Sequence, residues 1–520
     1  DSGSTALVVE NQALLKTLLP ELTTLPIQLI VLLTDETPDA IDGIKLLNFT
    51  QLLELGAQHD LKPATPGRDT LATLMYTSGT SGTPKGVMLS HGNLLSQITG
   101  ARAVVQLNPG EKVLSILPIW HCYERTFEYF IFAQGCTQIY TNIRHVKKDL
   151  KEFQPSYMVA VPRLWESIYE GVQKQFREQP ASKQRLVQFF LSASDRYIKA
   201  RRIVQKLSLD NLNPSSVEQA NAAVQMAALW PIHQLGDRLV YQQVRAATGG
   251  HIKFVVSGGG SIAEHLEDFF EIVGIDILGG YGLTETAPIT HVRRPWHNLR
   301  GADGQPLPQT ETRIVDPESR QAVPVGKQGL VLIRGPQVMQ GYYKNPQATA
   351  KAIDSEGWFD TGDLGWITAE DDLIITGRAK DTIVLTNGEN IEPQPIEDAC
   401  LRSPYIDQIM LVGQDERSLG ALIVPNVEAL AQWATAQNLS IQRPDQTIDL
   451  DNKAVQELFR QEITREVKNR PGYRADDRIG PFRLIAEPFT IENGLLTQTL
   501  KIRRAVVTER YRGMIDDMFA

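Results

Sequence analysis

The sequence predicts an α/β protein that ends in a smaller α+β unit, and three observations carry that expectation. Between residue 5 and about residue 280, short apolar runs at 6–9, 27–33, 112–117, 158–161 and 252–256 alternate with helical stretches, the cadence of parallel strands joined by covering helices. After Gly301 the pattern changes to turn-rich strands at 312–315, 329–334 and 373–376. After Gly377-Arg378-Ala379-Lys380-Asp381, a strand candidate at 382–385 opens a mixed α/β tail, so a domain boundary is expected near Lys380.

The intervening elements follow from spacing. Residues 182–207 place Leu186, Phe190, Ala193, Tyr197, Ile198 and Val204 at helical intervals, with Lys183, Arg185, Lys199 and Arg201 elsewhere on the circumference, so they form a long amphipathic helix. The apolar runs 71–76 and 87–89 read as strands flanking a glycine- and hydroxyl-rich loop. Trp120 reads as a core residue.

Composition removes several function classes. The 520 residues are 42% apolar, enough for more than one core, and Lys plus Arg number 52 against 61 Asp plus Glu. The resulting net charge of −9 disfavours a broad nucleic-acid surface, so no nucleic-acid partner is expected. Cys122, Cys136 and Cys400 lie far apart with no CxxC spacing, as in a chain kept in a reducing compartment. No apolar run reaches the roughly 18 residues that a spanning helix needs, so a cytoplasmic protein is expected, with peripheral membrane contact left open. The opening Asp1-Ser2-Gly3-Ser4 lacks an initiator methionine, and the natural beginning is expected to lie upstream.

Four segments carry chemistry. The first is Tyr76-Thr77-Ser78-Gly79-Thr80-Ser81-Gly82-Thr83-Pro84-Lys85-Gly86. Glycines let backbone N–H groups approach an anion, and hydroxyls and an ammonium add donors, so the loop is suited to wrapping phosphates. It is not a Walker loop, because Lys85 follows Pro84 and leads into a strand instead of Ser/Thr and a helix. A linker of the same composition is the plain alternative, which the two flanking strands disfavour.

The second pairs Ser257-Gly258-Gly259-Gly260-Ser261 with Gly279-Gly280-Tyr281-Gly282-Leu283-Thr284-Glu285-Thr286, each after a β-like run. A flat aromatic beside glycine backbone can border a purine, and Glu285 offers oxygen to a hard cation such as Mg²⁺. Alone, such a string is as often a turn with a surface acid. The third is Trp358-Phe359-Asp360-Thr361-Gly362-Asp363, where an acid fixed in a tight turn can accept both hydroxyls of a ribose, followed by the permanently charged Arg378. A plain Asp-Gly turn and a solvated arginine are the alternatives. The fourth, residues 493–504, presents Lys501 from a turn as a mobile point charge; a lysine in a basic stretch is usually just solvated.

These four segments, in this order over nearly the whole chain, resemble the adenylate-forming superfamily of acyl- and aryl-CoA synthetases, luciferases and peptide-synthetase adenylation domains. Ile119-Trp120-His121-Cys122-Tyr123-Glu124-Arg125, Val161-Pro162-Arg163-Leu164-Trp165-Glu166 and Asn387-Gly388-Glu389-Asn390 look like its long-chain fatty acyl branch, most similar to cyanobacterial acyl-acyl carrier protein synthetases. The resemblance implies a large N-terminal domain, residues 1–379, of stacked mixed sheets with helices plus a turn-rich β subdomain. It also implies a small mobile α+β domain, residues 380–520, hinged near Lys380. Judged against that branch, roughly a hundred residues are missing from the front.

The resemblance further implies that a long-chain fatty acid is activated with ATP and Mg²⁺ and passed to the phosphopantetheine thiol of acyl carrier protein, with CoA the alternative acceptor. A nucleotide-responsive binding protein without ligase activity is the distant alternative. Thr80 and Glu285 would hold Mg²⁺, and Thr77, Ser78, Gly79, Thr80, Ser81, Gly82, Thr83 and Lys85 would cradle phosphates. Gly258, Gly259, Gly260, Tyr281, Gly282 and Thr284 would border the nucleotide base. Asp363 and Arg378 would take ribose, His121 would line the acyl site, and Lys501 would bridge carboxylate and α-phosphate. Lys468, Arg470, Arg474, Arg478, Arg503, Arg504, Arg510 and Arg512 form a local basic excess that could steer an acidic carrier protein.

Overall fold

Strands buried on both faces set the layout. Tyr157–Ala160 is buried at every position, as a central strand with helices on both sides should be. It sits inside a seven-stranded sheet ordered Gln305–Pro306, Ile289–Val292, Asp276–Gly282, Phe254–Gly258, Tyr157–Ala160, Lys112–Ser115, Thr137–Tyr140. The last five of these strands run parallel, and the first two continue antiparallel. The computed structural model describes residues 2–22, 24–77, 84–443, 448–470, 472–497 and 500–520.

The helix expected at 182–207 is observed as Ala181–Gln205 and packs antiparallel on Ser216–Gly236. Beneath them Trp165, Tyr241 and Phe270 are fully buried, with the Trp165 and Phe270 rings edge to face at 5.3 Å. Burial of such a side chain is worth about 1.5–3 kcal/mol, so this cluster fixes the helical layer against the sheet.

Two further layers complete the large unit. Leu71–Thr77 and Lys85–Ser90 form an antiparallel hairpin, with Gly341–Tyr342 added on its other edge. Glu311–Val315, Gly329–Arg334, Phe359–Ile367 and Leu373–Arg378 form a four-stranded antiparallel sheet. A parallel three-stranded sheet, Ala6–Val9, Leu29–Leu32 and Lys45–Leu47, stands at the front of the chain.

The smaller unit has its own core. Ile406–Val412, Leu419–Pro425 and Ile479–Leu484 make a sheet whose middle strand is buried throughout. The helix Lys453–Lys468 lays Val455, Phe459, Ile463 and Val467, one every four residues, into that core. Lys380 is exposed, in a turn after Leu373–Arg378. Among the described residues no helix is long and apolar enough to cross a membrane.

Two expectations are corrected. Asp363 lies within the nine-residue strand Phe359–Ile367 and not in a tight turn; Gly362, at φ +70°, takes up the irregularity, and the strand pairs on both edges. Trp120 is 65% exposed and so is no core residue, because it precedes the helix Cys122–Ala133, whose first turn is directed inward through Cys122, Tyr123 and Glu124.

Candidate active site

Asp363 is the node of the site. It is directly opposite Arg378 across the strand pair, and its Oδ1 accepts from Arg378 Nε at 2.8 Å. Its Oδ2 accepts from the Tyr281 hydroxyl at 2.6 Å, and its own N–H donates to Thr361 Oγ1 at 3.0 Å. A carboxylate offers about four lone-pair directions, so each oxygen retains capacity for a further donor such as a ribose hydroxyl. Burial, then the Asp363 charge, holds the Tyr281 phenol well above its ordinary pKa, so it stays a donor. Burial works against the Arg378 charge, but Asp363, Tyr281 and Asp381 together outweigh it and the guanidinium pKa is raised.

The glycines around Tyr281 bring two backbones together. Gly258 closes its strand opposite Gly280, and Gly259 follows at φ +83°, a conformation that favours glycine. A Cβ on Gly282 would fall 1.9 Å from Pro288 O, so only glycine fits there. Gly260 faces the Pro162 ring, which sets this loop beside the start of the helix Pro162–Arg177.

Glu285 stands on the single helical turn Thr284–Thr286, and its Oε1 accepts from the Tyr342 hydroxyl at 2.9 Å. Tyr342 pairs with Val87, and Lys85 Nζ lies 5.0 Å from the Tyr342 ring centre. Thr77 and Lys85 face each other as the last rung of their hairpin, so the segment between them issues from the end that meets Glu285. Ser78, Gly79, Thr80, Ser81, Gly82 and Thr83 lie outside the described residues. Glu285 is a hard oxygen donor suited to Mg²⁺, and the fit of its expected partner Thr80 falls in that segment.

Lys501 comes from the other domain. A short hairpin presents it: Thr497 N–H donates to Lys501 O at 2.8 Å, Lys501 N–H donates to Thr497 Oγ1 at 3.1 Å, and Leu500 takes φ +62°. Its side chain keeps contact with solvent, yet enough protein surrounds it that burial, then the Arg378 charge, lowers its ammonium pKa, while Asp363 opposes. The His121 imidazole is lowered by burial and then by Lys501. His121 caps the helix Cys122–Ala133, its Nδ1 accepting from Tyr123 N–H at 3.2 Å, which puts the neutral ring's proton on Nε2. The Glu285 charge is felt at Cys122, beside His121, where burial first and Glu285 among the charges push the thiol up to about 12.

His121, Tyr281, Glu285, Asp363, Arg378 and Lys501 thus converge from positions far apart in the chain. Tyr342, the partner of Glu285, and Thr361, the partner of Asp363, escaped the sequence reading. The basic excess of the tail needs a correction: Arg470, Arg474, Arg504, Arg510 and Arg512 each pair with a carboxylate of their own domain, because folding brings Asp477, Glu389, Glu397, Glu487 and Glu509 beside them.

This fold, in which the Asp363 and Arg378 charges of the large unit are felt at Lys501 of the small one, is that of an adenylate-forming enzyme. The chain belongs to the AMP-binding enzyme family: the family model matches residues 1–343, and that of the AMP-binding enzyme C-terminal domain matches residues 380–469. It is 43% identical to a probable acyl-activating enzyme 16, chloroplastic, of Arabidopsis thaliana, over 87% of this chain and 64% of the relative. It is 41% identical to a chloroplastic long-chain-fatty-acid–[acyl-carrier-protein] ligase of the same plant, over 87% of this chain and 62% of the relative. A long-chain-fatty-acid–CoA ligase of Mycobacterium tuberculosis is 32% identical over 86% of this chain and 69% of the relative. The chain therefore spans less than two thirds of the length of the two plant relatives. Among solved structures, the adenylation domain of a Mycobacterium chelonae carboxylate reductase aligns with TM-score 0.72 and 21% identity, covering 99% of this chain and 73% of that one. The adenylation–carrier didomain of a Segniliparus rugosus carboxylic acid reductase, in complex with AMP, aligns with TM-score 0.70 and 21% identity, covering 100% and 66%. At that identity the likeness is one of fold.

Proposed function

We propose that this chain activates long-chain fatty acids with ATP as acyl-adenylates and passes the acyl group to the phosphopantetheine thiol of acyl carrier protein. The observation that carries the reading is that Lys501 lies near enough to Asp363, Arg378 and His121 for their charges to act on one another across the two domains. When bound, ATP supplies the α-phosphate that the carboxylate attacks, with loss of pyrophosphate. Asp363 and Arg378 hold the ribose, and Tyr281 fixes the Asp363 carboxylate in place. Gly258, Gly259 and Gly260 border the base with Tyr281, Gly282 and Thr284. Thr77, Lys85 and the segment between them take the phosphates; Glu285 and Thr80 are the residues that would hold Mg²⁺.

Lys501 draws carboxylate and α-phosphate together. One charge pair at about 4 Å and an effective dielectric near 20 is worth about 4 kcal/mol, a decisive share of a barrier in which positioning and charge neutralisation dominate. His121, neutral beside Lys501, lines the acyl carboxylate. The small domain, residues 380–520, turns about Lys380 between the two half-reactions.

Acyl carrier protein is preferred as acceptor on the 41% identity to a ligase named for it. CoA is the second reading, because it ends in the same phosphopantetheine thiol and a ligase named for it is 32% identical. Fatty acid-dependent pyrophosphate–ATP exchange tests the first half, and thioester formation with acyl carrier protein and CoA in parallel tests the second. Exchange is expected with palmitate; binding of ATP without exchange would assign the chain to nucleotide-responsive binding instead.

A further inference from the structure

The segment Val161-Pro162-Arg163-Leu164-Trp165-Glu166 has no part in the site as described, yet its arginine crosses between the domains. Arg163 Nη2 donates to Asp407 Oδ1 at 2.9 Å, on the strand Ile406–Val412 of the small domain, and Nη1 donates to Glu166 Oε2 at 2.8 Å. Arg163, Glu166, Glu170 and Lys174 recur at helical intervals along Pro162–Arg177, so one charged face of this helix turns toward the small domain. Lys174 Nζ reaches Glu428 Oε1 at 2.8 Å farther along the same face. One residue past the glycine loop, Ser261 Oγ donates to Asp398 Oδ2 at 2.7 Å, a third bond to the small domain.

We propose that Arg163 is a positioning residue for the adenylation half-reaction, holding the small domain, through Asp407, in the orientation that presents Lys501 to Asp363 and Arg378. The inference rests on the function proposed above and names the contact that governs its first step. Arg163 bridges Glu166 and Asp407, and the charges of both are felt at Glu170, as is that of Arg177. With the guanidinium in place, three acids surround one cation and the domains are drawn together. Without it, Asp407 faces Glu166 and Glu170 across the interface, and this end of the face repels. Loss of this one side chain therefore turns attraction into repulsion at this contact, while Lys174–Glu428 and Ser261–Asp398 remain.

Arg163 follows Pro162, whose ring lies beside Gly260, so the latch adjoins the base-bordering loop. Exposed pairs such as Lys174–Glu428, at 51% and 61% side-chain exposure, contribute little; Arg163 and Asp407, at 38% and 28%, are shielded enough to matter. The bond is also one that must break when the small domain turns, so it should weigh on the first half-reaction and not the second.

The test uses Arg163→Glu, Asp407→Arg and the double variant in the full chain. Palmitate-dependent pyrophosphate–ATP exchange is expected to fall about fivefold or more in each single variant and to recover in the charge-swapped double. Thioester formation from supplied palmitoyl-adenylate with CoA is expected to stay within about twofold of the parent. Small-angle scattering, which needs no activity, should depart from the profile of the closed arrangement in the single variants and return to it in the double. Equal loss in both half-reactions, no loss in either, or no recovery in the double variant overturns the proposal. A parent chain that shows no exchange sinks the proposed function instead, and scattering alone then decides the latch.

Discussion

The Tyr281 hydroxyl donates to Asp363 Oδ2 at 2.6 Å, while Arg378 occupies the other oxygen of the same carboxylate. The aromatic read from sequence as a border for the base is therefore also the residue that orients the ribose acid. Tyr281→Phe keeps the ring and removes the donor to a group that is only 4% exposed. A hydrogen bond to a charged acceptor is worth about 1.5–3 kcal/mol, so affinity for AMP should fall about tenfold or more. Calorimetric titration with AMP measures it, and unchanged affinity would show that Arg378 alone orients Asp363.

Lys501 acts, in the proposed function, only while the small domain faces the nucleotide. Lys501→Ala should remove most pyrophosphate–ATP exchange, on the order of a hundredfold or more given a charge pair worth about 4 kcal/mol. Thioester formation from supplied acyl-adenylate should be spared. Equal loss in both steps contradicts this assignment.

Lys380 lies in the turn closed by Asp381 N–H donating to Arg378 O at 2.9 Å, one residue from the end of the Ala379–Gly362 contact. A proline there fixes φ near −65° and limits the swing of the small domain. Lys380→Pro should slow one half-reaction much more than the other in single-turnover measurements; an equal effect on both argues against a hinge.

Local periodicity explains what was legible. The strand Gly329–Arg334 stands where an apolar run bounded by turn residues puts it, because a buried strand needs no distant partner to announce itself. The turn expected at Asp363 failed because Asp-Thr-Gly-Asp has turn composition, whereas strand pairing on both edges overrides it and confines the irregularity to Gly362. Partners across long separations left no local trace: Tyr342 lies 57 residues from Glu285, Asp398 137 from Ser261, and Asp407 244 from Arg163. The ion pairs that Arg163 and Lys174 make with Asp407 and Glu428 likewise depend on the tertiary arrangement.

Glu285 gives one carboxylate oxygen to the Tyr342 hydroxyl. Glu285→Gln keeps an acceptor for that hydroxyl and removes the negative charge a divalent cation needs. The apparent Mg²⁺ requirement for exchange should rise about tenfold, with ATP saturating at unchanged fold stability. An unchanged Mg²⁺ titration would remove Glu285 from the metal assignment.

Glu124 is fully buried, and neither of its oxygens makes a hydrogen bond of ordinary geometry. Burial, aided by the Glu128 charge, pushes its carboxyl up to about 7, which the nearby Ser115 hydroxyl and Leu117 N–H only partly offset. A carboxyl whose folded pKa lies above its unfolded value contributes nothing adverse below about pH 4.5, where both states are protonated. As pH rises from there through about 7, the folded state must carry a desolvated charge and stability is lost, on the order of 3 kcal/mol once ionisation is complete. Glu124→Gln abolishes that ionisation, so its unfolding midpoint should exceed the parent's at pH 8 and approach it at pH 5. Urea unfolding at the two pH values checks the sign: a variant equally offset at both would mean that Glu124 titrates alike in the folded and unfolded chain.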